Sequence, residues 1–276
     1  MRLTLDRTTS LPIDAAQATL VGRAWLPGKI PGPAPVLIRG NDVIDVSRTF
    51  STLAELMSAE APGRAARKAG VAGRVVGEIG ALLANSSADA LDAAKPYFLA
   101  PCDLQPAKAC GVTFATSLLE RVIEEHARGN PAEAKEIRRK LLAEIGTDVG
   151  RVKPGSPEAA QLKRLLMERG LWSQYLEVGV GPDAEVFTKA PPLASVGTGA
   201  EIGILARSSW NNPEPEVVAV VNARGEIVGA TLGNDVNLRD FEGRSALLLG
   251  RSKENNASSA IGPFVRLFDE GFSIDD

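Results

Sequence analysis

Apolar residues near the start of the chain fall in short runs rather than at helical spacing. Gln17 to Leu26, Val36 to Arg39 and Val43 to Val46 have the length and β-branched content of strands, and Gly40-Asn41-Asp42 supplies a turn between the last two. Thr52 to Ser58 and Arg74 to Asn85 carry helical patterns instead. Ala100-Pro101 and Gln105-Pro106 then break the chain. Beyond them Ala109 to Phe114 is a short apolar run with strand character. Ser117 to His126 has apolar residues on one helical face, and Pro131 opens a second helical segment over Ala132 to Ile145. Ser156-Pro157-Glu158 starts a third, reaching Arg169, with serine as N-cap and proline at the first helical position. From Tyr175 to Phe264 the pattern is mainly β, punctuated by glycine and proline, and no internal repeat is present. The division this predicts is a small α+β domain over residues 1–99 and a second domain over 100–276, α+β in class overall.

Within the second domain Val217 to Asn222 and Glu226 to Leu232 are two strand-like runs joined by Ala223-Arg224-Gly225. A turn centred between Arg224 and Gly225 pairs position 214 with position 235. Residues two apart on a strand share a face, so Glu214 and Glu216 of Glu214-Pro215-Glu216 point the same way, and Asp235 of Gly233-Asn234-Asp235 arrives opposite. Three carboxylates with no His or Cys among them suit Mg²⁺, Mn²⁺ or Ca²⁺ rather than zinc. Acidic residues at strand ends are also found simply solvated, with a proline such as Pro215 marking an edge strand, so spacing leaves both readings open.

Composition narrows the chemistry. The 276 residues include 31 basic and 34 acidic side chains, and no basic run is interleaved with aromatics, which argues against nucleic acid as a partner. The charged, alternating Arg2-Leu3-Thr4-Leu5-Asp6 reads as neither signal peptide nor anchor, and no apolar stretch reaches bilayer length, so no membrane partner is expected. Cys102 and Cys110 form no disulfide framework and fit a reducing cytoplasm. The single histidine, His126, sits in a polar helical stretch and is expected to be solvent-exposed, which disfavours every histidine-centred mechanism. Gly197 and Gly199 form no phosphate cradle, because a β pattern follows them rather than a helix start.

Several segments taken together resemble the fumarylacetoacetate hydrolase family. They are Gly111-Val112-Thr113-Phe114, Val186-Phe187-Thr188-Lys189, the Glu214/Glu216 pair, Gly233-Asn234-Asp235-Val236, and Lys253 followed by Ile261-Gly262-Pro263. Each is short; their order and spacing over residues 100–270 carry the resemblance. It implies a mixed β-roll around a divalent metal, beside the small N-terminal α+β domain, and a homodimer. It also implies Glu214, Glu216 and Asp235 as metal ligands, Lys253 as the active-site lysine, and Arg239 and Lys189 holding the substrate or the ligand carboxylates. Family members follow the Ile261-Gly262-Pro263 motif with a further β-rich stretch, so this sequence is expected to lack part of the C-terminal roll.

Departures from the family pattern sharpen the expectation. Hydrolases of the family follow Gly-x-Asn-Tyr with a histidine and, three residues later, a glutamate, the pair that activates water. Here Thr113 replaces the asparagine, Ser117 stands at the histidine position as a substrate contact, and Glu120 keeps the glutamate. Serine near neutral pH is a poor base, so hydrolysis is disfavoured. The branch that dehydrates 2-keto-3-deoxy sugar acids does without that histidine. The tracts Trp172 to Glu177, Trp210 to Glu216, Gly233 to Ser245 and Lys253 to Phe264 resemble it specifically. The chemistry implied is loss of water from a 2-keto-3-deoxy pentonate chelated to the metal, giving 2-oxoglutarate semialdehyde. Glu120 is the implied base, with Glu124 one turn along as the alternative; the plain reading of Glu120 is a solvated carboxylate paired with Arg121 or Arg128. Lys253 would stabilise the enolate oxygen or the departing hydroxyl. An acylpyruvate-type hydrolase or oxaloacetate-type decarboxylase competes on the same scaffold, and a non-catalytic sugar-acid binder from another class.

Overall fold

Val36-Leu37-Ile38 shows no polar alternation because both of its faces are covered. The computed structural model describes residues 4–111, 120, 122–123, 126–127, 133, 135–139, 152–172 and 176–273. The strands β1 (Leu20–Leu26), β2 (Gly32–Arg39) and β3 (Asp42–Asp45) form the expected antiparallel meander. On one side Leu20, Ala24, Val36, Ile38 and Val43 pack with Phe98, Phe264 and the helix Ile79–Asn85. On the other, Val21, Leu37 and Ile44 pack with the helices Leu53–Met57 and Pro62–Ala72. Thr52 caps the first of these helices through its hydroxyl.

Two local expectations change. Arg74 to Glu78 is a strand, β4, pairing with β3, and only Ile79 to Asn85 of that segment is helical. The helical spacing there arose from a β-to-α switch within one apolar window. The helix Pro62–Ala72, small and polar in composition, was not expected; its Gly70 lies against Leu37, where an added Cβ would come within 2.4 Å of that side chain. The later helix Pro157–Glu168 is as expected, capped by Ser156 and ended at Arg169. It belongs to a separate apolar cluster of Val122, Ile123, Ala159, Leu162, Leu166, Leu176 and Val180.

The remaining strands are β5 (Tyr97–Leu99), β6 (Ala107–Cys110), β7 (Val186–Ala190), β8 (Asn211–Asn212), β9 (Pro215–Val221), β10 (Ile227–Asp235), β11 (Asn237–Leu238), β12 (Ser259–Ile261) and β13 (Val265–Leu267). Nine strands share one sheet in the order β12-β10-β13-β1-β2-β3-β4, with β5 on β1 and β9 on β10. Strands from both sides of residue 100 therefore share it, joined where β13 pairs with β1. Two small ladders, β6 with β7 and β8 with β11, flank the β9–β10 hairpin. Short helices at Glu177–Val180, Arg239–Glu242 and Leu249–Lys253 interrupt the region read as mainly β. No helix among the described residues is long and apolar enough to cross a membrane.

Candidate active site

The β9–β10 hairpin sets the site. Gly233 lies opposite Glu216 and Asn234 opposite Pro215, and the Asp235 amide donates to the Glu214 carbonyl at 2.9 Å. Positions 214 and 235 thus face each other as the sequence symmetry predicts, by a different route. The turn closes one residue earlier, with the Asn222 amide bonded to the Glu226 carbonyl, and a bulge between Ile227 and Gly229 restores the register.

Asp235 is buried at the end of β10, 6 % exposed, between two buried lysines. Lys253, at the end of the helix Leu249–Lys253, donates to Asp235 Oδ2 at 3.1 Å and to Glu214 Oε2, with its ammonium 5.5 Å from the Phe187 ring centre. Lys189, from β7, lies 3.0 Å from Asp235 Oδ1, but its three hydrogens go to the Val236 carbonyl (2.7 Å), the Lys253 carbonyl and Ser258 Oγ (3.2 Å). That explains how Asp235 Oδ1 sits beside an ammonium and still accepts no hydrogen bond. Lys189 thus pairs with Asp235 through charge, while its hydrogens go to two carbonyls and a hydroxyl.

The two lysines titrate in opposite directions. Burial depresses the Lys189 pKa and outweighs the attraction of Asp235. Burial also works against the Lys253 ammonium, but Glu214, Asp235 and Glu242 together overcome it and raise its pKa. Glu216 is pushed up, first by burial and then by the neighbouring charges of Asp235 and Glu214.

Glu214 is flanked by Arg239, which the motifs pointed to, and by Asn237, which they did not. Asn237, fully buried, donates to Glu214 Oε1 at 3.1 Å and to Glu242 Oε2 at 2.5 Å, and Glu242 is itself buried. Arg239 donates to Asn212 Oδ1 at 3.1 Å and brings its guanidinium within 3.8 Å of Glu214 Oε1. Asn237 opens β11 two residues after Asp235 ends β10.

Glu120 stands elsewhere. It is exposed, and both its oxygens accept from Arg138, with no bond to the lysine–carboxylate cluster among the described residues. Arg138 is its partner among the described residues; Arg121 and Arg128 lie outside them. Ser117, Glu124 and Val112 to Phe114 lie outside the described residues. His126 is exposed, its Nδ1 3.0 Å from the Val122 carbonyl. Cys102 and Cys110 are both free.

In kind, the donor set suits a divalent ion. Glu214, Glu216 and Asp235 offer hard oxygen donors, Asp235 Oδ1 has spare accepting capacity, and the mutual repulsion felt by Glu216 is what a cation relieves. As the side chains lie, however, no three acidic, His or Cys groups among the described residues are gathered closely enough to hold one ion. The Lys253 ammonium instead bridges Glu214 and Asp235. Donor chemistry and strand register fit; the Glu214 side chain must turn from Lys253 to complete the set. Beside Glu216 and Asp235 opens a cleft of about 450 Å³, walled by Ala107, Ala109, Val218, Val220 and Ile261.

The fold is the one expected from the motifs, shared with a sugar-acid dehydratase. Crystal structures of 2-keto-3-deoxyarabinonate dehydratase superpose with TM-scores of 0.54 and 0.53, at 20 % and 19 % identity, over 91 % of this chain and 67 % of theirs. The second holds magnesium and 2,5-dioxopentanoate. In sequence, the chain is 42 % identical over 98 residues to a probable 2-keto-3-deoxyxylonate dehydratase of Haloferax volcanii. It is 40 % identical over 86 residues to 2-dehydro-3-deoxy-D-arabinonate dehydratase of Saccharolobus solfataricus. Those matches take in 36 % and 31 % of this chain, and 34 % and 29 % of the relatives' own length. The resemblance read from the motifs is borne out by both relatives. No family model matches the chain.

Proposed function

We propose that the chain carries the catalytic centre of a metal-dependent hydro-lyase that removes water from a 2-keto-3-deoxy pentonate to give 2-oxoglutarate semialdehyde. The observation that carries this reading is the buried Asp235 clustered with Glu214 and two lysines, with Asp235, Lys189 and Glu216 lining one cleft, in a chain resembling dehydratases of such acids. Glu214, Glu216 and Asp235 would hold the divalent ion, Mg²⁺ being the cation bound in a solved structure of like fold. When bound, the ion supplies Lewis acidity towards an α-keto acid.

The chain's own groups account for the remainder. Lys253, buried beside Asp235 and Glu214, would offer its ammonium to oxygen charge that develops at the proposed centre. Lys189 fixes Asp235 from behind, and Asn237 and Arg239 fix Glu214. Apolar side chains make up much of the cleft wall, in keeping with an elimination that needs no water nucleophile. Glu120 is retained as the base on its motif position alone; to act it must leave Arg138. We also place the protein in the cytoplasm, in keeping with its two free thiols, and as a homodimer.

The test is turnover of 2-keto-3-deoxy-xylonate with added Mg²⁺, read as 2,5-dioxopentanoate, against an acylpyruvate as competing substrate. The proposal requires the semialdehyde, its loss with excess chelator, and loss of Mg²⁺ binding by calorimetry in Asp235→Asn. Cleavage of the acylpyruvate instead, or chelator-resistant turnover, would replace it with the hydrolase reading.

A further inference from the structure

The polar floor of the cleft does not end at the carboxylates. Residues opposed on neighbouring antiparallel strands share a face of the sheet. Asp235 lies opposite Ser259 of β12, and Gly233 lies opposite both Glu216 of β9 and Ile261 of β12. Glu216, Asp235, Ser259 and Ile261 therefore stand on one face, and all four line the cleft. Ser195-Val196 continues the row beyond β12, with the Val196 amide bonded to the Ser259 carbonyl at 2.8 Å. Ser195 Oγ lies 3.0 Å from Ser259 Oγ, and beside Ser195 is Cys102, also in the cleft wall. The row changes character along its length. Carboxylates on β9 and β10 give way, one strand spacing of about 4.8 Å further on, to two hydroxyls and a thiol.

The hydroxyl pair has bonding capacity to spare. Ser259 is 4 % exposed, and a buried hydroxyl is expected to have its hydrogen on an acceptor. One of the two O–H hydrogens forms the Ser195–Ser259 bond, in either direction. The other hydrogen, and the remaining lone pairs, have no oxygen or nitrogen partner among the described residues. They are left for the cleft or for the Cys102 sulfur. Because the bond between the serines can reverse, Ser259 can either donate or accept. A ligand hydroxyl, itself donor and acceptor, is the group that such a pair matches. Burial raises the Cys102 pKa, so the thiol is neutral near pH 7 and the row beyond β10 carries no charge. An uncharged row gives a second carboxylate no counter-ion.

We propose that Ser259, oriented by Ser195, binds the terminal hydroxyl of the 2-keto acid and so selects a hydroxylated chain over a bare or a dicarboxylic one. This rests on the reading of the cleft as a 2-keto acid site. With the keto-acid end at Glu216 and Asp235, the far end of a five-carbon chain extends across one strand spacing to β12. Ser259 is thus a specificity-determining residue: it grips the end remote from the ketone and acts on binding.

Calorimetry in Mg²⁺ with three unreactive ligands tests this. 5-Hydroxy-2-oxopentanoate, 2-oxopentanoate and 2-oxoglutarate share the keto-acid end and differ only at the fifth carbon. Ser259→Ala should weaken the hydroxy acid about tenfold, the worth of one good hydrogen bond. It should leave 2-oxopentanoate and 2-oxoglutarate bound as before, which also shows that the variant is folded. Ser195→Ala keeps the Ser259 hydroxyl without its support and should cause a smaller loss, confined to the same ligand. If Ser259→Ala weakens none of the three, or weakens all of them equally, the inference is overturned while the 2-keto acid site stands. If none of the three binds the unsubstituted chain, the site reading itself falls and the inference falls with it.

Discussion

Lys253 holds the carboxylate oxygens that the proposed divalent cation would need. The ammonium bridges Glu214 and Asp235, so binding an ion there must turn Glu214 away from it. Removing one partner of a buried ion pair typically costs about 3–5 kcal/mol, because the other charge is left uncompensated. Lys253→Met should therefore lose stability of that order in chelator, measured by urea unfolding, and regain part of it in Mg²⁺. If the variant is equally unstable with and without the ion, the carboxylates do not share a cation. Asn237 offers a gentler probe, since it touches Glu214 and would not itself ligate the metal. Groups that orient a ligand in this way are usually worth about 10–100-fold in metal affinity. Asn237→Leu should weaken Mg²⁺ binding by that factor in calorimetry; unchanged affinity would leave Asn237 with a purely structural role.

At the level of elements, the site depends on one bulge. Gly229 sits where β10 passes β13, and a Cβ there would lie 2.7 Å from the Arg266 carbonyl oxygen and 3.1 Å from Leu267 Cα. Backbone cannot yield as a side chain does, so Gly229→Ala must displace β10 from β13, at a cost of about 1–3 kcal/mol. Because the bulge sets the register that opposes Glu214 to Asp235, the same variant should also lose Mg²⁺ affinity. Gly225→Ala is the control: its φ of 79° carries strain of about 1 kcal/mol, but nothing lies within 4 Å of the new methyl group. Equal metal affinity in the two variants would show that the bulge does not govern the site. The hairpin's carboxylates were legible from the sequence because the two-residue repeat of a strand and the symmetry about a turn are local rules. The bulge was not, since it answers to β13, which lies well beyond the hairpin in the chain. Nor was β4, whose strand character comes from pairing with β3 and not from its own spacing. Lys189 and Lys253 were visible only as motif members; that one is tied to two carbonyls and the other bridges two acids follows from elements distant in sequence.

Across the whole molecule, the sheet joins the beginning of the described chain to its end. β13 pairs with β1 and β10, and its Arg266 is buried among Asp14, 252 positions earlier, and Asp269. Asp14 accepts from Arg266 at 2.8 Å and Asp269 at 2.9 Å, so the guanidinium clasps the N-terminal segment to the last strand. The hydrogen bond from Arg266 holds the Asp269 carboxyl below the ordinary aspartate range. A carboxyl whose folded pKa is depressed binds fewer protons folded than unfolded, so its contribution is present above the unfolded value of about 4 and vanishes as pH falls through the folded value. With Asp269 about one-fifth exposed, solvent screening limits the contribution to roughly 1 kcal/mol. Urea unfolding should therefore find Asp269→Asn less stable than the parent by about that amount near pH 6, with the gap closing towards pH 3. The loss should appear in one transition read both by Trp25 on β1 and by circular dichroism, because the strand it loosens is shared by both halves of the sheet. A pH-independent gap would mean that Asp269 acts through packing. A transition in which Trp25 lags behind would mean that the two ends of the sheet unfold separately.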